Sequence, residues 1–318
     1  LKLLSAAIAL TIGLAIVSLF IGASDVSLST LLSGQDRAVQ VLLASRIPRT
    51  LALMLAGSSM AIAGMIMQML VRNRFVEPST AGTVESASMG LLVATLVAPG
   101  MPVFGKMLVA AVFALAGTAL FLRILRQVKM RDVLIVPLIG IMFSGVISAI
   151  TTFFAYRFDL LQSLLAWTTG DFSGVLRGRY ELLWIGFVLT IFAYIAADRF
   201  TVAGMGRDFT VNLGVNYRRV VSLGLGIVSL VTAVVVVTVG MIPFLGLIVP
   251  NVVSIMFGDN MRKSVPWVAV MGASFVLLCD IVGRVIRQPY EIPIGVVVGV
   301  VGSGIFLYLL LRRRANVA

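Results

Sequence analysis

The sequence predicts an all-α, polytopic membrane protein with about ten transmembrane helices. Composition is the first reason: of 318 residues, 60% are hydrophobic and only 12% charged, where soluble domains carry about 25% charged residues. Mean hydropathy is the second, at +1.09. The third is that apolar runs long enough to cross a bilayer, about 20 residues each, recur along the whole chain. A soluble core cannot account for this excess, because a polar shell must cover it. An ordinary soluble enzyme is therefore excluded.

The runs fall, in order, at 3–21, 49–70, 82–98, 103–122, 133–153, 181–197, 220–239, 241–257, 265–286 and 293–311. The first is too long for the core of a secretion signal and nine others follow it, so it reads as a retained helix. Leu1 rather than Met opens the chain, which leaves its true start open. The second follows Arg46 and Arg49, which flank Pro48 at its mouth. The fifth carries Gly140, Ser144, Ser148 and Thr152 four apart on one helical face. In the ninth, Asp280 and Arg284 are spaced to pair along one helix. The last holds a G-x-x-x-G pair, Gly295 and Gly299.

An even number of spans puts both termini on one side. Sorting Lys and Arg by alternate loops gives sixteen on that side and nine on the other. The excess places both termini in the cytoplasm. It also explains the net charge of +12 without nucleic acid, for which there is no aromatic-basic interleaving. Three connections exceed a hairpin: 22–48 and 154–180 outside, and 198–219 inside. The chain reads as one transmembrane domain, 1–318, with no second soluble domain.

Several chemistries are excluded. Histidine is absent, which removes Ser-His-Asp and Cys-His arrangements and histidine metal sites. One cysteine, Cys279, makes neither an internal disulfide nor a multi-cysteine zinc site. There is no G-x-x-x-x-G-K-[ST] loop, hence no recognisable ATP site. Catalytic residues, metal ligands and cofactors of its own are not expected. Carboxylates within the spans are nearly confined to Asp280 and Glu85, whereas gradient-driven transporters place ionisable groups or broken helices at mid-membrane. A pump built on this chain takes its energy from a partner.

In the inner loop 198–219, Val202, Met205, Phe209 and Leu213 recur on one face of a short helix, which Gly214 is placed to close. That stripe either docks in a groove on a cytoplasmic partner or packs on the protein's own helices or the lipid surface. The stripe of Gly140, Ser144, Ser148 and Thr152 serves either close helix packing or the wall of a wet pathway. Arg46, Arg49 and Arg284 are either anchors at span ends or, brought together, a receptor for carboxylates.

Several segments together resemble the FecCD family, permease subunits of bacterial ABC importers for iron-siderophores, haem and cobalamin. They are RIPRTLALMLAGSSMAIAGMIMQMLVRNRFVEPSTAG (46–82), LLAWTTGDFSGV (164–175), LGVNYRRV (213–220), GMIPFLGLIVPN (240–251) and CDIVGRVIRQPYEIPIGVVVGVVGSGIFLYLL (279–310). R-x-P-R-T, F-x-G-L-I-V-P and E-x-P-x-G are specific in combination. The resemblance implies a type II ABC importer permease fold of ten helices in the inner membrane, and a second permease, identical or related, enclosing the pathway. It implies two ATPase subunits holding ATP and Mg below, and a periplasmic siderophore-binding protein above. By position, Arg46, Arg49 and Arg284 would meet the binding protein's acidic residues. Val202, Met205, Gly206, Arg207, Phe209, Leu213 and Gly214 would form the ATPase coupling segment. Asn73 and Phe75 would narrow the inner gate, and Ser144, Ser148 and Thr152 would line the pathway.

The chain departs from the family where Asn251 replaces a usual His, Ser254 stands near an expected basic residue, Arg207 follows Gly206 in place of Glu, and Phe75 replaces a smaller aliphatic. RNRFVEPSTAGTVES looks closest to the branch serving catecholate-type iron chelates. The expected function is passage of a ferric siderophore to the cytoplasm. The alternatives are a gradient-driven secondary transporter, or a permease of the same family for haem or cobalamin.

Overall fold

A computed structural model describes residues 2–22, 36–128, 135–178, 180–287 and 290–315. Among them every regular element is a helix. We number these α1 Lys2–Phe20, α2 Asp36–Val71, α3 Thr83–Val97, α4 Val103–Gln127, α5 Ile135–Arg157, α6 Leu161–Thr168 and α7 Leu183–Ile195. There follow α8 Ala197–Gly204, α9 Arg207–Asn212, α10 Tyr217–Val239, α11 Leu245–Phe257, α12 Met261–Val285 and α13 Ile294–Ala315. Lys129, Arg131 and Arg179 fall outside the described residues.

Each of the ten apolar runs is a helix, but they are not ten equal spans. Six helices (α1, α2, α4, α5, α10 and α12) are long and apolar enough to cross a membrane alone. The run at 181–197 is mostly the 13-residue α7, which meets α8 at a bend of 66°. Three others are short. The 13 residues of α11 rise about 20 Å at 1.5 Å per residue, against a hydrocarbon core of about 30 Å. The expected start of that run, near 241, is spent on a non-helical entry instead, with Phe244 in the left-handed region at φ 60°.

The outer connections also hold helix that periodicity did not predict. Residues 36–46 extend α2 outward through one π turn, Leu42–Arg46. Pro48 explains it: proline has no N–H to give the carbonyl four residues back. That carbonyl, on Ala44, accepts instead from the backbone N–H of Arg177 at 3.0 Å. Within 154–180, α6 is a short separate helix.

The long α2 is the centre of the bundle, with α7, α10, α11 and α12 packed around it. Small residues set the crossings. A Cβ on Gly57 would meet the carbonyl oxygen of Gly272 in α12 at 2.6 Å, a backbone approach that only glycine permits. Peripheral α1 is mostly exposed; a 2.7 Å hydroxyl pair, Thr11–Ser274, joins it to α12.

Candidate functional site

On the inner side the expected single coupling helix is two helices. Gly206, at φ 114°, separates α8 from α9. Its backbone conformation suits glycine alone, and a Cβ there would stand 3.2 Å from the Arg72 guanidinium. The stripe read as one face is thereby divided. Val202 stays half-buried on α8, whereas Met205, Phe209 and Leu213 are exposed together with Val211 and Arg207. Gly214 closes α9 as expected. Its N–H reaches the Val211 carbonyl at 2.9 Å and that of Val215 reaches Thr210 at 3.1 Å, which is a Schellman cap. Thr210 is buried and donates to the carbonyls of Val202 and Gly206 at 3.0 and 2.6 Å. The two short helices therefore form one knuckle whose outer surface carries exposed Met205, Phe209, Val211 and Leu213 beside polar Arg207, Asp208 and Asn212.

Beside the knuckle lies the connection from α2 to α3. Arg72 ends α2 in the left-handed conformation, φ 56°. The buried Asn73 accepts the Phe75 N–H on its Oδ1 at 2.8 Å, a local turn of the kind Asn favours. The Phe75 ring packs edge-on against Phe306 of α13, centroids 6.0 Å apart. Gln68, Arg72, Asn73, Met205, Asp259 and Asn260 share the wall of a cavity of about 640 Å³. Of the expected gate and coupling residues, it brings Asn73 and Met205 to one place.

The residues that hold this connection were not singled out for it by the sequence. Asn251 donates to the carbonyls of Arg74 and Leu247, both at 2.7 Å. Gln68 donates to the Gly246 and Leu247 carbonyls at 3.2 and 3.3 Å. Arg74 pairs with Asp259 at 2.5 Å. Glu77, 2% exposed, accepts the Phe244 N–H at 3.0 Å and the Ser79 hydroxyl, and bonds to the backbone of Gly246 and Leu247. It thus caps the entry to α11 from a distant part of the chain, where unpaired N–H groups favour an anion. Burial pushes its carboxyl up to about 7, against the opposing pull of those hydrogen bonds. The departure at Asn251 therefore has a structural part, tying the connection from α2 to α3 to α11.

The small-residue stripe of α5 is split. Gly140 is buried against the Thr80 backbone, which is packing. Ser144 is half-buried near the Ser79 carbonyl at 3.4 Å, while Ser148 and Thr152 lie on an uncovered face. Gly295 and Gly299 serve packing: the Gly295 N–H donates to the Gly170 carbonyl at 2.9 Å, and a Cβ on Gly299 would touch Pro243 at 3.9 Å.

On the side the charge bias reads as outer, Arg46, Arg49 and Arg284 do converge, but inward. They are 7%, 8% and 2% exposed, so the free carboxylate receptor expected of them is not presented on this surface. Arg49 pairs with Asp280 and Glu291, each at 2.7 Å. Arg284 pairs with Asp280 at 2.6 Å, as the spacing predicts, and donates to the carbonyls of Ser18 and Ile21 at 3.0 and 2.6 Å. Arg46 also donates to Ile21. Two guanidinium groups thereby satisfy carbonyls at the C-terminal end of α1, where helix geometry leaves them unpaired. Half-exposed Glu291 is the cluster's solvent-facing carboxylate.

Six helices long and apolar enough to cross a membrane, packed around α2, define a multi-pass helical membrane protein. The fold is shared with known transporters. One solved structure, an inward-facing conformation of a metal-chelate type ABC transporter, matches with a TM-score of 0.83 over 98% of this chain and 99% of its own, at 24% identity. The sequence match goes further: the model of the FecCD transport family covers residues 10–312, and the chain belongs to that family. It is 52% identical to the petrobactin import system permease protein YclN of Bacillus subtilis, over 96% of this chain and 97% of that one. It is 43% identical to the petrobactin import system permease protein FatD of Bacillus anthracis, over 97% and 90%.

Proposed function

We propose that this chain is the permease subunit of an ABC importer that carries an intact ferric siderophore, of the petrobactin type, into the cytoplasm. The observation carrying this reading is the near end-to-end likeness to petrobactin import permeases. Partners are a second permease subunit, identical or related, two ATPase subunits that hold ATP and Mg, and a siderophore-binding protein outside. Both termini are cytoplasmic.

In this reading the knuckle of Met205, Phe209, Val211 and Leu213 seats in an ATPase groove. Burying four such side chains favours docking by about 1.5–3 kcal/mol each before the costs of association. Closure of the ATPases moves the knuckle, and Arg72 beside Gly206 links it to the segment bearing Asn73 and Phe75. Ser148 and Thr152 face the pathway, which binds the chelate weakly so that it can leave. At the outer face, an incoming carboxylate of the binding protein engages Arg49 by displacing Glu291. The chain itself makes and breaks no covalent bond.

Reconstituted vesicles test this. Uptake requires the ATPase chains, ATP and the loaded binding protein. Uptake by this chain alone, lost on collapsing a proton or sodium gradient, identifies a secondary transporter and overturns the proposal.

A further inference from the structure

We propose that the pocket between the inner ends of α1 and α12 is a binding site for an anionic phospholipid. Lys2, Leu3, Phe257, Lys263 and Trp267 line a cavity of about 510 Å³. Its lining holds two ammonium groups and no carboxylate. Neither lysine joins an ion pair among the described residues. The side wall is a stacked aromatic pair, Phe257 and Trp267, with centroids 4.2 Å apart and planes 20° apart.

Three features point to a lipid rather than a soluble anion. Trp at a span end is the side chain that favours the headgroup level. The pocket lies on the side where Lys and Arg are in excess, the cytoplasmic leaflet by charge bias, where anionic headgroups meet basic pockets between helices. Below it, Leu3, Leu10 and Val17 of α1 form a seven-residue repeat along one helical face, at 72%, 63% and 47% exposure. That strip is a track for an acyl chain leading to the lysines. A headgroup phosphate between Lys2 and Lys263 also approaches the N-terminal end of α12, whose dipole favours negative charge. The site shares no lining residue with the cavity of about 640 Å³, although Asp259 and Asn260 of that cavity lie between Phe257 and Lys263 in sequence, and it does not depend on the cargo.

The test is native mass spectrometry of the full chain, purified with its partner subunits and exchanged into phosphatidylglycerol or phosphatidylcholine. Phosphatidylglycerol is expected to be retained preferentially. Replacing one lysine by alanine should weaken retention about fivefold, and K2A/K263A together about 25-fold. Phosphatidylcholine binding should not change, and K2R/K263R should restore the preference. Equal retention of the two lipids, or undiminished phosphatidylglycerol in the doubly substituted complex, overturns the proposal. Displacement by millimolar inorganic phosphate assigns the pocket to a soluble anion and also overturns it.

Discussion

Removing the Glu77 carboxylate should loosen the connection from α2 to α3 by an amount that the structure allows to be worked out. Glu77→Ala deletes the acceptor of the Phe244 N–H and the bonds to the Gly246 and Leu247 backbone in a site closed to water. A buried donor left unpaired costs about 1–3 kcal/mol; the Leu247 N–H keeps the Phe244 carbonyl, so losing the other two at about 1.5 kcal/mol each totals about 3 kcal/mol. At about 1.4 kcal/mol per factor of ten, the displaced population of residues 73–82 rises about 100-fold. The assay is maleimide labelling of Phe75→Cys in a Cys279→Ala background. Labelling is expected to accelerate by up to that factor in Glu77→Ala, and less in Glu77→Gln, which keeps an acceptor oxygen. An unchanged labelling rate in a Glu77→Ala protein that still assembles with its partners would refute the clamp.

Four further outcomes are expected. Phe209→Asp places a charge on the apolar knuckle and should leave the permease folded while ATP hydrolysis no longer drives uptake; normal coupled uptake would show that the knuckle is not the contact. Gly206→Ala forces a side chain into φ 114° against Arg72, costing about 1–3 kcal/mol, and should lower uptake relative to hydrolysis in the same vesicles. Arg49→Ala strips Asp280 of one partner in a buried cluster and should cost about 3–5 kcal/mol, read as thermal unfolding in detergent; unchanged unfolding would mean the pair is not structural. Finally, Glu77 has a raised folded-state pKa, so its contribution falls as pH rises from about 4.5 to about 7 and is flat above. Hydrogen exchange of residues 73–82, corrected for its intrinsic pH dependence, should show that slope in the parent and lose it in Glu77→Gln.

Glycine placement and apolar run length carried much of the architecture. Each of the ten runs folds largely as helix because a bilayer permits little else, and Gly214 closes α9 because αL is open to it at no steric cost. Run length, however, records hydrophobicity rather than backbone path. Hence the stretch at 241–244 looked like span while the chain was turning through Phe244. Spacing likewise merged α8 and α9, since one left-handed residue at Gly206 leaves no trace in a period of 3.6. Charge bias located the arginines on the outer side but not their partners.

The sequence alone determined the solvent this protein lives in and its helical class, because those depend on composition and local pattern. Its resemblance to a permease family also came from local motifs. Only the tertiary structure decided that Arg46, Arg49 and Arg284 turn inward, and that Asn251 and Glu77 hold the connection from α2 to α3. Those facts depend on which distant donor meets which acceptor: 231 positions separate Arg49 from Asp280, and 167 separate Glu77 from Phe244. A hydrogen bond of a few ångströms is set by packing, and packing is not written in any one stretch of chain.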